Sequence, residues 1–191
     1  TWAAALVRRL DARRDGDELG SLLESLAGEE RLLDIPDHLA VLDARVELDI
    51  ARGREPEAIA GLDAMMQLSP DDSAPWDRMS RILERRGEWE SLAERMRARL
   101  RLELPPAQLA DTAASLGRLL EEKLGDEAGA EEAYRRAARA VPDHAGAARA
   151  LAGLAYRRQR WDDLDRTIAR LPEDGDDAEV QIWRARAAEG C

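Results

Sequence analysis

Apolar residues recur at three- and four-residue spacing along most of the chain, and the periodic stretches are separated by Gly, Pro and Asp. That spacing predicts short amphipathic helices. Trp2, Leu6 and Leu10 share one face, Gly16 stands where a left-handed cap would end that helix, and Leu19, Leu22, Leu23 and Leu26 form the returning face before a loop closed by Pro36. The next helix spans 38–53 and ends at Gly53, Pro56 fits the first turn of its partner, and Ala58, Leu62, Met65 and Met66 lead to a stop at Ser69-Pro70. A third pair carries Trp76, Met79, Ile82 and Leu83, turns at Gly87, and returns through Trp89, Leu92, Met96 and Leu100 to Pro105-Pro106.

The fourth pair has Leu109, Leu116 and Leu120 in its first helix and Ala130, Ala133, Tyr134 and Ala137 in its second. The fifth has Leu151 and Leu154, a turn at Arg158-Gln159-Arg160, then Trp161, Leu164, Ile168 and Pro172. The hairpins are therefore about 2–35, 36–72, 73–106, 107–144 and 145–172. A last helix, 177–188, turns Val180 and Trp183 inward and has no hairpin partner.

The hairpins are related to one another. A shift of 72 positions superimposes Gly53 on Gly125, Ala58 on Ala130, Pro70 on Pro142 and Asp71 on Asp143. It also brings Arg85-Arg86 onto Arg157-Arg158, Trp89 onto Trp161 and Leu92 onto Leu164, so two hairpins make one super-repeat. A lone hairpin of this size buries too little surface to fold, whereas stacked neighbours share a continuous core. The expected fold is all-α: a right-handed α-solenoid of about five stacked antiparallel hairpins plus the unpaired last helix, one domain over 1–191 and a fragment of a longer protein. Ala58 and Ala130 should allow close helix approach. Trp89 and Trp161 should fill the space between hairpins, with truncation costing about 3–5 kcal/mol if either is fully buried.

Composition agrees with helix. Of 191 residues, 45% are hydrophobic and 36% charged, Phe and Asn are absent, and Lys123 is the only lysine. The Arg, Ala and Gly usage suggests a GC-rich bacterial source. The net charge of -11 gives a nucleic-acid partner an unfavourable long-range field. No apolar run approaches the roughly 18–20 residues that a membrane helix needs, so neither a nucleic acid nor a membrane is an expected partner, and a cytoplasmic setting is expected. Cys191, the only cysteine, excludes a disulfide framework within these residues.

Counting back from Pro142, Ala137, Tyr134 and Ala130 lie five, eight and twelve residues earlier, behind Leu116-Gly117 in the first helix. This pattern resembles the tetratricopeptide repeat, which combines a Leu-Gly pair, a turn glycine, a small residue, an aromatic, an alanine and a closing proline. Gly53, Ala58, Leu62, Met65 and Pro70 follow it in the second hairpin, and Trp76, Gly87, Trp89 and Leu92 in the third. The resemblance covers about 38–172. Leu92 and Leu164 replace the small residue, Gln159 replaces a turn glycine, and the fourth hairpin has one extra residue between Gly117 and Gly125.

Reaction chemistry is not legible in the chain. His38 and His144 each follow Pro-Asp before a helix, where Asp37 or Asp143 and the histidine serve helix starts. Glu121-Glu122 and Glu131-Glu132 read as solvated or first-turn charge. No phosphate-binding, dinucleotide, nucleophile-elbow or zinc-protease motif occurs, and no cofactor or metal is expected. Arginine pairs such as Arg85-Arg86, Arg135-Arg136 and Arg157-Arg158 read by default as solvated faces or i,i+4 partners of interleaved acids. The family resemblance implies instead that first helices line a concave groove, with Arg81, Arg85, Arg118, Arg149 and Arg157 inward and a locally positive lining suited to acidic groups. The carboxylate clamp of such repeats relies on asparagines and lysines and is not expected.

The expected function is thus a non-enzymatic scaffold holding a protein or peptide. The alternative is a regulatory or interaction segment of a larger enzyme or secretion component. Self-association is a further expectation, through an apolar face around Val180 and Trp183.

Overall fold

The computed structural model describes residues 16–27, 34–70, 72–171 and 178–190. Within the single domain that the sequence suggests, the chain divides into two compact units, Thr1–Gly87 and Glu88–Cys191. Among the described residues every regular element is helical.

The first unit contains α1 (Gly16–Ala27), α2 (Ile35–Ala51), α3 (Glu55–Leu68) and α4 (Ala74–Arg86). Each packs on the next. Val46, Ala58, Leu62, Met79 and Leu83 form its buried centre, and Leu19, Leu23 and Leu26 of α1 close on Val41, Ala44 and Leu48 of α2. The second unit contains α5 (Trp89–Arg99), α6 (Pro106–Leu119), a π turn (Leu120–Leu124), α7 (Glu127–Ala140), α8 (Ala145–Arg157), α9 (Trp161–Ile168) and α10 (Ala178–Gly190). Here the antiparallel pairs α6/α7 and α8/α9 stack through α7 and α8. Leu92, Leu116, Ala130, Tyr134, Leu154 and Leu164 are buried between the layers.

The 72-residue shift holds at the backbone. Gly53 and Gly125 adopt φ of 70° and 66°, Gly87 adopts 68°, and Gln159 adopts 55° although it carries a side chain. All four turns use the left-handed conformation, so Gln159 keeps the geometry and loses the residue best suited to it. The inserted residue of the fourth hairpin also has a physical destination. The first helix widens into the π turn, and Gly125 then ends it with its N–H on the Leu120 carbonyl.

Close approach is arranged differently in the two hairpins. A Cβ on Gly117 would lie 2.6 Å from the Tyr134 ring, so α6 supplies the space and α7 the ring. In the second hairpin a Cβ on Gly61 of α3 would lie 2.6 Å from Val46 Cγ2 of α2.

Several local expectations are corrected. Gly16 is the first residue of α1, and the helix at 2–14 expected to end there lies outside the described residues. Pro36 does not close the first hairpin but sits in the first turn of α2, whose cap is Asp34: its carboxylate accepts the Asp37 N–H at 2.9 Å. His38 is therefore inside the helix. Pro105-Pro106 likewise open α6, after α5 has ended at Arg99. Trp89 and Trp161 are half-buried, Trp89 beneath the Lys123 ammonium at 5.2 Å and Trp161 edge-on to Tyr156 at 6.1 Å, so neither incurs the truncation cost of a fully buried ring.

The last helix carries another correction. Val180, Trp183 and Ala187 are buried against Ala152, Leu164, Ile168 and Leu171, so the fifth hairpin covers the face expected to drive self-association. Ile182 is the large apolar residue that α10 leaves exposed among its described side chains.

Candidate binding groove

The second unit contains a groove of about 720 Å³ between the first helices of its two hairpins. Asp111, Ser115 and Arg118 line it from α6, Glu121 and Glu122 from the π turn, and Arg149, Gly153 and Arg157 from α8. Tyr134 and Trp183 supply aromatic surface, and Ala114, Gly146, Ala150 and Gly153 keep the walls low. Small residues leave space for another chain's backbone to come close.

Arg118, Arg149 and Arg157 of the five expected contact residues share this groove. Arg81 and Arg85 belong to α4 in the other unit and are exposed there, with Arg85 lying 3.5 Å from Glu55. The expected positive lining is not what the chain builds around the three arginines. Four carboxylates, Asp111, Glu121, Glu122 and Glu179, line the same space. Arg149 pairs with Glu179 at 2.9 Å, bridging α8 and α10, and Arg157 pairs with Glu121. Arg118 is exposed and makes no ion pair among the described residues. The lining is of mixed charge, with one uncommitted guanidinium.

The acidic side is positioned by burial. Tyr134 is 4% exposed and donates its hydroxyl to Glu121 Oε2 at 3.0 Å, while Glu121 Oε1 accepts from Arg157. Burial raises the Tyr134 pKa above its ordinary value of 10, and the hydrogen bond to Glu121 with the charges of Glu121 and Glu122 raises it further. The phenol is therefore a fixed donor, and Glu121 is held between two helices.

At the end of the groove, His144 caps α8. Its Nδ1 accepts the Ala147 N–H at 3.0 Å, and Nε2 lies 3.1 Å from Asp111 Oδ1 on α6. Because Nδ1 accepts, the ring's hydrogen is on Nε2 and points at the carboxylate. The expected helix-start role holds for His144, and Asp143 is exposed in the preceding turn.

Other arginine pairs are used between hairpins. Arg86 reaches Glu55 at 3.1 Å, and the residues 72 positions on, Arg158 and Glu127, repeat the contact at 2.9 Å. Glu131, only 6% exposed, accepts from Arg158 at 2.7 Å, is paired with Arg160 at 2.8 Å and also meets Arg135. Burial alone would raise its pKa, but the Arg160 hydrogen bond and the charges of Arg135, Arg160 and Arg158 outweigh that and lower it. Arg86, Arg158 and Arg160 act as inter-helix staples, a use that neither a solvated face nor a lined groove describes, whereas Arg135 makes the i,i+4 pairing expected of it within α7.

No protein-family profile and no curated protein matches the sequence. Among solved structures, the crystal structure of MamA, a helical-repeat protein of the tetratricopeptide type, superimposes with a TM-score of 0.51 at 13% identity, covering 93% of this chain and 95% of that one. The fold is a tetratricopeptide-like helical repeat. At 13% identity the likeness speaks for the fold and not for shared partners.

Proposed function

We propose that the protein is a non-enzymatic interaction scaffold that holds an extended segment of another protein in the groove between α6 and α8. The observation that carries this reading is Arg118. Its guanidinium is exposed in a groove whose other two arginines are already paired with carboxylates of the chain. A mixed-charge segment fits best, with a carboxylate on Arg118 and basic groups near Asp111 and Glu122. Arg149 and Arg157 shape the same wall and contribute secondary contacts, and Arg81 and Arg85, on α4 of the other unit, are proposed as partner contacts of that unit in their own right.

The test is a peptide-library selection on the full chain, followed by affinity measurement on Arg118→Ala and on the variant with all five arginines changed to Ala. Peptides carrying both charge signs should be enriched, and Arg118→Ala should weaken them about tenfold without changing thermal unfolding. Equal affinity for wild type and the five-fold variant would reject the groove.

A further inference from the structure

We propose that His144 is a proton-sensitive cap through which acidification loosens the α8 wall of the groove; its functional meaning rests on the groove reading above. In the neutral ring, one nitrogen does each of two jobs: Nδ1 accepts the Ala147 N–H at 3.0 Å, and Nε2–H donates to Asp111 at 3.1 Å. Protonation puts a hydrogen on Nδ1. Two donors then face each other across the cap, and a positive charge stands at the N-terminal end of a helix, where the backbone dipole opposes it.

The charged groups around the ring are Asp111 on α6, Asp143 in the preceding turn and, further along the groove, Arg149 on α8 with its partner Glu179 on α10. Asp111 opposes the effect, because it attracts the charged ring. Its side chain is 76% exposed, however, so that attraction is screened by water. Losing a side-chain cap changes the opening equilibrium of a first helical turn by about fivefold, more than a screened surface pair restores. The first turn of α8 therefore opens more often when the ring is protonated than when it is neutral. That turn leads directly to Gly146 and Arg149, which line the groove. The ring at the cap is thus a physical link between pH and the shape of the wall.

The experiment is hydrogen exchange at the Ala147 amide, followed by NMR on the full chain between about pH 7.5 and pH 5 and corrected for intrinsic exchange chemistry. Wild type should lose about fivefold in protection on acidification. His144→Asn should show no such loss, because asparagine caps a helix without titrating. A flat profile in wild type, or the same loss in His144→Asn, would overturn the proposal. The measurement uses no ligand, so a failed peptide selection rejects the groove reading and leaves this result intact.

Discussion

Replacing Gly117 by alanine tests the closest packing contact in the fourth hairpin. The added Cβ would stand 2.6 Å from Tyr134 Cδ1 and Cε1 and 2.9 Å from Cζ. Ordinary carbon contacts begin at about 3.5 Å, so the overlap is close to 1 Å along one whole edge of the ring. The ring cannot swing away cheaply, because it is 4% exposed and its hydroxyl is tied to Glu121. Overpacking of this kind costs about 2–3 kcal/mol, while alanine regains about 1 kcal/mol of helix propensity over glycine. The net expectation is a loss of about 1–2 kcal/mol, read from the midpoint of urea unfolding by circular dichroism at unchanged slope. In a Tyr134→Ala background the obstruction is gone, and the same change should instead stabilise by up to about 1 kcal/mol. An unchanged or raised midpoint in the wild-type background, or an equal loss in both backgrounds, would refute the packing argument.

Two other substitutions follow from the same physics. Gln159→Gly should raise stability by about 0.5–1 kcal/mol in a thermal melt, because relief of the left-handed strain exceeds the added freedom of glycine in the unfolded chain; a lower melting temperature would show that the side chain makes a contact worth more than the strain. Glu131→Gln should cost about 2 kcal/mol, since it leaves Arg135, Arg158 and Arg160 around a buried neutral group. The pKa of Glu131 is lowered in the fold, so its contribution is complete above the ordinary value of 4.5 and is lost as pH falls through the depressed one. Unfolding measured from pH 7 to pH 3 should accordingly be less steep for the variant than for wild type, and parallel curves would remove Glu131 from that role.

The sequence carries the fold well where a position is fixed by backbone geometry or by deep burial. Gly53, Gly87 and Gly125 mark the turns correctly, and the 72-residue shift even identifies Gln159 as a turn residue of the same kind. Periodicity does not phase the ends, because proline is tolerated in the first turn of a helix as readily as after its last. That ambiguity is why Pro36 and Pro105-Pro106 read as stops although they open α2 and α6. The extra residue before Gly125 is visible in the sequence, but neither its absorption as a π turn nor the partners that Glu121 finds there, one on α7 and one on α8, can be read from spacing.

Charge was the least legible property. Local pairing rules reach three or four positions along one helix, whereas Arg86 meets Glu55, Arg149 meets Glu179 and Arg157 meets Glu121 across separate helices. An arginine on the groove face can therefore be consumed by the chain itself, and only three-dimensional pairing separates Arg118 from Arg149 and Arg157. The face around Val180 and Trp183 illustrates the same limit. Its apolar character is plain from spacing, but the cover supplied by α8 and α9 is a tertiary fact.

The location of binding is open to a direct reading by NMR. A selected peptide should be titrated into the isotopically labelled chain while backbone amide shifts are followed. Shifts should cluster at Asp111, Arg118, Arg149, Gly153 and Arg157, on the first helices α6 and α8. Saturable binding whose shifts fall instead on the second helices α7 and α9, with those five residues unmoved, would contradict a scaffold that works through this groove.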